Sequence, residues 1–381
     1  MSATANHPNY SPGLEGVVGG ITTISEIISE TSTLVYRGYN VHDLASQGTF
    51  EETAYLLLFG KLPNRAEMDA FKATLAAERE VPAEVYTALK QLPKSVHPMD
   101  IAKVGFAVAA PFDPDYAAPA TDQEANRRKA VRILAKASTI VGNGHRIRLG
   151  LEPLAPKPEH SIAQNFLYLM TGNAPDAETA HVLDSSLTLY AEHGFNASTF
   201  ACRVTVATLS DIYSGIVSGI GTLKGPLHGG ANEEAMRMIE EIGTPDKAEA
   251  WIRDALATKK KIMGFGHREY KKRDPRAIYL TVIAKQLAEK KGQQKWAQIA
   301  DILEHVMETE KGIYPNVDFP AAYAYYSLDI PIDLYTPIFV IARVSGWSAH
   351  VLEQLANNRL IRPACIYEGP HSAEYIPIDA R

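Results

Sequence analysis

Apolar residues recur along most of this chain every third or fourth position, the period that places them on one face of a helix. That spacing predicts helices over 51–59, 65–80, 125–147, 161–170, 177–192 and 198–217. It predicts further helices over 233–242, 247–259, 276–290, 296–309, 321–328 and 348–357. Gly60, Pro63, Gly172, Pro175, Gly243, Pro245 and Gly292 stand between these runs as breakers. Strand-like alternation is confined to short runs such as Thr33–Tyr36. Strands and helices do not alternate, so a doubly wound α/β sheet is disfavoured and a mainly α fold is expected.

The most membrane-like stretch, 204–223, contains Asp211 and several Ser and Thr. Its Gly215-x-x-x-Gly219 spacing is therefore read as a buried helix packed closely on a neighbour or a second subunit. With 381 residues, 46% of them hydrophobic, the chain is long enough for a large core and more than one lobe. Composition shifts from acidic to basic near 223–230, and prolines punctuate 331–337. These boundaries divide the chain into 1–222, an inserted smaller unit at 223–330, and a return to the first unit at 331–381. There is no internal repeat and no low-complexity tract.

Formal charge is -6, which disfavours nucleic acid or an anionic membrane as partner. The stretch 259–276 nevertheless carries a local +6, leaving -12 for the rest. A basic site on an acidic protein suits an anionic small molecule. Cys202 and Cys365 give neither a disulfide framework nor zinc spacing, and are read as inert thiols of a reducing compartment, the cytoplasm. The segment 1–12 is polar, so no signal peptide is expected.

The basic stretch contains Gly264-Phe265-Gly266-His267-Arg268-Glu269-Tyr270-Lys271-Lys272-Arg273-Asp274-Pro275-Arg276. Its glycines allow positive φ and close approach of a ligand. His267 titrates near neutrality, and arginine grips carboxylates or phosphates bidentately. A second candidate is His228, in Pro226-Leu227-His228-Gly229-Gly230-Ala231-Asn232. Asn232 is expected to cap the following helix, whose positive end would keep His228 neutral; a histidine bonded to a backbone carbonyl is the equal alternative. Asp318, in Tyr314-Pro315-Asn316-Val317-Asp318-Phe319-Pro320, is placed at a non-helical junction with Pro320 opening the next helix. Apolar neighbours there would raise its pKa toward that of a useful base; an ordinary helix cap is the alternative.

His193 ends one helix just before Asn196 or Ser198 caps another, where a role as a dipole partner is the commoner one. Arg343 lies in the apolar run 338–344 and needs an anion, either a protein carboxylate or a substrate. Arg359 and Arg362 are open to a surface reading. No HExxH or other metal motif occurs, and no G-x-S-x-G, G-x-G-x-x-G or P-loop pattern.

Taken together, and in this order along the chain, the blocks 193–200, 223–232, 264–276, 314–319 and 341–354, with the C-terminal 358–363 and 367–370, resemble the citrate synthase family. The resemblance runs from about Gly13 to the end. It implies an almost all-α homodimer with a large and a small domain. It implies condensation of acetyl-CoA with oxaloacetate, the entry reaction of the tricarboxylic acid cycle, then hydrolysis of citryl-CoA, with no cofactor and no metal. Asp318 matches the base, His228 the donor to the thioester oxygen, and His267 the donor to the oxaloacetate carbonyl. His193, Arg276 and Arg343 match oxaloacetate ligands, and Arg362 an arginine reaching into the partner subunit's site. Ile262, Met263, Gly264, Phe265, Gly266 and Lys271 match the coenzyme A region. Glu269, and Pro320-Ala321-Ala322 after the Asp-Phe pair, depart from the family pattern. The second departure leaves acyl preference open, so 2-methylcitrate synthase acting on propionyl-CoA is the near alternative. A non-catalytic CoA-binding or scaffold homologue is the alternative of another class.

Overall fold

The computed structural model describes residues 10–267, 269–270 and 272–381. Its one sheet lies near the start. β1 (Ser25–Ile28), β2 (Thr33–Tyr36) and β3 (Tyr39–Asn40) are antiparallel in that order, with Ser25 opposite Tyr36 and Ile28 opposite Thr33. The other regular elements are helices, as the apolar period required.

The first helices are α1 (Val41–Gln47), α2 (Phe50–Phe59), α3 (Arg65–Ala77), α4 (Ala83–Lys90), α5 (Pro98–Ala109) and α6 (Gln123–Arg148). Their ends follow from sequence. Thr49 and Glu52 form a reciprocal cap on α2, as Asn64 and Glu67 do on α3. Gly60 closes α2 in the left-handed conformation. α1, α4 and α5 were not expected; two of them are short, and Pro98 opens α5 at a position where its missing N–H costs nothing.

Next come α7 (Ile162–Thr171), α8 (Ala177–Tyr190), α9 (Ala197–Val206) and α10 (Ile212–Leu223). The single helix expected over 198–217 is therefore two. Leu209 takes φ +65°, and Asp211 caps α10 by accepting from the Ser214 amide at 3.0 Å. Gly215 and Gly219 serve contacts within the chain. A Cβ on Gly219 would stand 2.6 Å from Cys202 Sγ and 3.1 Å from the Trp347 ring.

α11 (Ala231–Ile242), α12 (Pro245–Ala257), α13 (Pro275–Lys290), α14 (Gln294–Lys311) and α15 (Asp318–Ser327) pack mainly on one another. α13 also touches α8, and α11 touches α16 (Tyr335–Ala356). α16 is nearly all buried and runs through the core against α2, α6, α8, α9 and α10. Its expected extent was only 348–357. A helix apolar on all faces shows no amphipathic stripe, and Pro337 sits in its first turn, where N–H groups lack helical partners anyway. Between Asn357 and Pro377 the chain forms neither helix nor strand, with Leu360, Tyr367 and Tyr375 exposed. Among the described residues no helix is long and apolar enough to cross a membrane.

Candidate active site

The site is built where α8 ends, α9 begins, and the loops before α11, α13 and α15 converge on α16. The base candidate is anchored first. Residues 264–266 run antiparallel to 314–316: the Gly266 amide donates to Tyr314 O and the Asn316 amide to Gly264 O, both at 2.9 Å. Gly264 has φ +81°, and a Cβ there would meet Phe319 Cβ at 2.8 Å. Only glycine lets the two motifs come this close. Asn316 then completes the junction, donating from Nδ2 to Gly266 O and accepting from the Asp318 amide, each at 3.0 Å.

Asp318 is the first residue of α15 rather than a non-helical one, and Pro320 is third rather than first. The first turn has no intrahelical acceptor for its N–H groups, so a proline is tolerated at either place. Asp318 Oδ1 accepts from the buried Tyr190 hydroxyl at 2.7 Å. Burial pushes the carboxyl up to about 6, against the lowering effect of that hydrogen bond and of Arg276.

His228 lies in a tight loop. The Gly229 amide donates to Leu223 O at 2.9 Å, and a Cβ on Gly229 would stand 2.4 Å from that oxygen. Gly230, not Asn232, is the cap of α11; Asn232 lies inside the helix, fully buried. The helix facing the imidazole is instead α9. The Ser198 amide points at His228 Nε2 from 3.4 Å, and Ser198 Oγ lies 2.8 Å from the same nitrogen. An amide can only donate, so Nε2 is the acceptor and the ring proton sits on Nδ1. Burial, then Arg343, pushes the pKa down to about 4. The expected neutral histidine is present, held by a different helix N-terminus.

His267 has the opposite tautomer. The Glu269 amide donates to its Nδ1 at 3.1 Å, which leaves the proton on Nε2. Burial and Arg276 push it down to about 4 as well. Its ring lies 4.9 Å from that of His193 and 4.6 Å from Tyr270. The Tyr270 hydroxyl is 3.0 Å from His193 Nε2. Burial, Arg276 and His267 hold His193 well below its ordinary value.

Two buried arginines complete the cluster in different ways. Asp274 grips Arg276 at Nε (3.0 Å) and Nη2 (2.8 Å) while accepting from the Val317 amide at 3.1 Å. Arg343 donates from Nε to Tyr190 O at 2.7 Å. Among the described residues its two terminal nitrogens make no hydrogen bond, and no carboxylate is within ion-pair distance. Phe339 joins the parts: its ring lies 4.4 Å from Tyr190, 4.7 Å from the Arg343 guanidinium and 6.4 Å from His228.

The structure thus brings together Asp318, His228, His267, His193, Arg276 and Arg343. It does not bring Arg362 to them: that residue is exposed on the irregular segment after α16. Of the coenzyme A candidates, Ile262, Met263, Phe265 and Gly266 are partly exposed beside the loop and Gly264 is buried under Phe319, while Lys271 lies outside the described residues. The local positive charge is also less available than its count implied. Arg273 is held by Glu304 and Glu308 on α14, and Lys260 by Glu241. Glu269 acts through its backbone. Its amide fixes the His267 tautomer and its carbonyl accepts from Ser29 Oγ at 3.3 Å, so an acidic side chain is tolerated there.

The family model described as citrate synthase, C-terminal domain, matches residues 13–364. The chain belongs to the citrate synthase family. It is an acyltransferase of that family. It is 47% identical over 370 residues to citrate synthase 2 of Bacillus subtilis, covering 97% of this chain and 98% of that one. It is 44% identical over 370 residues to 2-methylcitrate synthase of Mycobacterium tuberculosis, covering 97% and 93%. A Thermoplasma acidophilum citrate synthase, solved in ternary complex with carboxymethyl coenzyme A and oxaloacetate, superposes with a TM-score of 0.92 at 37% identity, covering 98% and 99%. In this citrate synthase family member, sequence reasoning missed Tyr190, Tyr270, Asp274, Phe339 and Glu192. Asp274 and Tyr270 stood inside the glycine-histidine segment; Tyr190 carried no signal of its own.

Proposed function

We propose that this protein condenses acetyl-CoA with oxaloacetate and hydrolyses the resulting citryl-CoA to citrate and CoA. One observation carries the reading: a base and two histidines with complementary tautomers share one cluster with an arginine whose terminal nitrogens have no partner among the described residues. Asp318 removes a proton from the acyl methyl group. His228 donates its Nδ1–H to the thioester oxygen as negative charge develops there. The enolate carbon attacks the oxaloacetate carbonyl, and His267 gives its Nε2 proton to that oxygen. Arg343, Arg276 and His193 hold the substrate carboxylates. Water then cleaves the thioester, releasing CoA. The acyl-CoA is a substrate, and the scheme uses neither cofactor nor metal.

Coenzyme A lies along 262–266 in this reading, with Lys271 among its cations. The unit 223–330 closes as a small domain over the large domain formed by 1–222 and 331–381, excluding water until condensation is complete. A homodimer in the cytoplasm is the working form. The exposed apolar residues after α16 support an arm that embraces a partner and delivers Arg362 to its site. Arg362→Ala is then expected to raise the oxaloacetate KM roughly tenfold, the loss of one charged hydrogen bond, while leaving the acyl-CoA KM in place. An unchanged oxaloacetate KM would remove Arg362 from the site.

The acyl donor is decided by kcat/KM for acetyl-CoA against propionyl-CoA with oxaloacetate. The match to a protein named 2-methylcitrate synthase favours propionyl-CoA as the second reading. One methylene changes binding by only about 1–3 kcal/mol. A clear propionyl preference overturns the acetyl assignment, and no CoA release with either donor overturns the reaction.

Acidity gives another expectation. With Asp318 titrating at about 6 and both histidines at about 4, kcat/KM falls tenfold per pH unit below about pH 6 as the base is protonated. Tyr190→Phe removes a donor that favours the carboxylate, so the acid limb moves to higher pH, by about one unit. A limb that stays in place, or moves down, means that Tyr190 does not tune the base.

A further inference from the structure

The proposed pocket holds one charge that the chemistry above does not use. Glu192, the residue before His193, is fully buried, as is His350 beside it. Its Oε1 accepts from Ser25 Oγ at 3.0 Å, from the Gly194 amide at 2.5 Å and from His350 Nε2 at 2.9 Å. Arg203 donates to His350 Nδ1 at 3.0 Å, so His350 carries its proton on Nε2, directed at Glu192. Burial opposes ionisation of Glu192, yet His350, Arg343 and Ser25 together hold its pKa below the ordinary value.

The other oxygen is bare. Among the described residues, Glu192 Oε2 is buried without a hydrogen-bond partner. It faces α16 at Gly346, where a Cβ would stand 2.4 Å away. Arg343 lies three residues earlier, nearly one turn, and positions three apart share a face. Glu192 is the carboxylate that most favours the charged form of Arg343, against the effect of burial, although no ion pair joins them. A free carboxylate this near a buried guanidinium would ordinarily swing to meet it. Three donors on Oε1 prevent that.

We infer that Glu192 is a tethered counter-anion of the dicarboxylate pocket: Ser25, Gly194 and His350 hold it off Arg343, so it balances that charge without occupying the terminal nitrogens, and its own charge limits how tightly a dianion binds. This rests on the reading of Arg343 as an oxaloacetate ligand. It also explains why the two arginines differ. Arg276 is gripped by Asp274 at two nitrogens, whereas Arg343 keeps its outer edge for the incoming carboxylate. Glu192 acts through Arg343 and touches no substrate, so it is a positioning residue.

The test is oxaloacetate affinity by calorimetry on the full chain, alongside steady-state kinetics. Glu192→Gln keeps an acceptor for the three donors and removes the charge. It should tighten oxaloacetate about tenfold, the scale of one unit charge several ångströms away at an effective dielectric near 20, with the acyl-CoA KM unchanged. Ser25→Ala loosens the tether, lets Glu192 close on Arg343, and should weaken oxaloacetate several-fold. Adding Glu192→Gln to Ser25→Ala should restore the tight binding of the first variant. A purely structural Glu192 would give weaker binding in all three and no such restoration. Unchanged or weaker binding in Glu192→Gln, or a Ser25→Ala defect that persists in the double variant, overturns the inference while leaving the reaction untouched. A wild-type protein that binds no oxaloacetate overturns both. If Glu192→Gln fails to fold, Ser25→Ala alone decides, since unchanged affinity there refutes the tether.

Discussion

Replacing Asp318 by Asn is expected to lower kcat by about 10²- to 10⁴-fold, the contribution of a positioned base. The substitution is conservative in shape. Asn can still accept from the Tyr190 hydroxyl, and the Asp318 amide bond to Asn316 is unaffected. Thermal unfolding should therefore change little, and oxaloacetate affinity should stay close to wild type. What disappears is the group able to take a proton. The carboxyl's pKa of about 6 makes it a stronger base than an ordinary carboxylate while leaving it ionised at neutral pH. Solvent exchange of the acyl α-protons should fall in parallel with CoA release, because both begin with the same abstraction. Near-normal kcat, or exchange that continues at the wild-type rate, would take the base role away from Asp318.

The parts of this fold that could be read in advance are those whose instructions are local. α2, α3 and α7 begin at capping pairs three residues apart, and α2 and α7 end at glycines. The break between α9 and α10 was hidden because both helices bury apolar residues and the interruption, with Leu209 left-handed and Asp211 extended, is only a few residues long. α16 was hidden for the opposite reason, since apolar residues on every face erase the period. The site divides along the same line. His228, His267 and Asp318 stood out because titratable groups beside glycines and prolines are unusual. For two of them the groups that set protonation come from elsewhere in the chain: Tyr190 lies 128 positions from Asp318, and Ser198 lies 30 from His228. No spacing rule links them. The pairing of Arg273 with Glu304 and Glu308 was invisible for the same reason, and a charge count therefore overstated the free cations near the coenzyme loop.

His228→Ala should have the second-largest effect, lowering kcat by about 10²- to 10³-fold, as removal of one oxyanion donor does. The geometry makes the donor specific. The Ser198 amide at the start of α9 occupies Nε2, so the only proton the ring can offer is on Nδ1, and burial keeps the ring from gaining a second. An imidazolium would donate more strongly in the ground state but would have to be formed against that burial. A neutral donor instead gains strength as the thioester oxygen becomes an enolate oxygen, which stabilises the transition state more than the substrate. The base and the donor act on the same step, so their losses should not multiply. Asp318→Asn combined with His228→Ala should be little slower than Asp318→Asn alone, since without abstraction there is no enolate for the histidine to stabilise. A double variant slower by the full product of the two factors would mean that His228 acts elsewhere, in holding substrate or in the later hydrolysis, and the Nδ1–H would need another target.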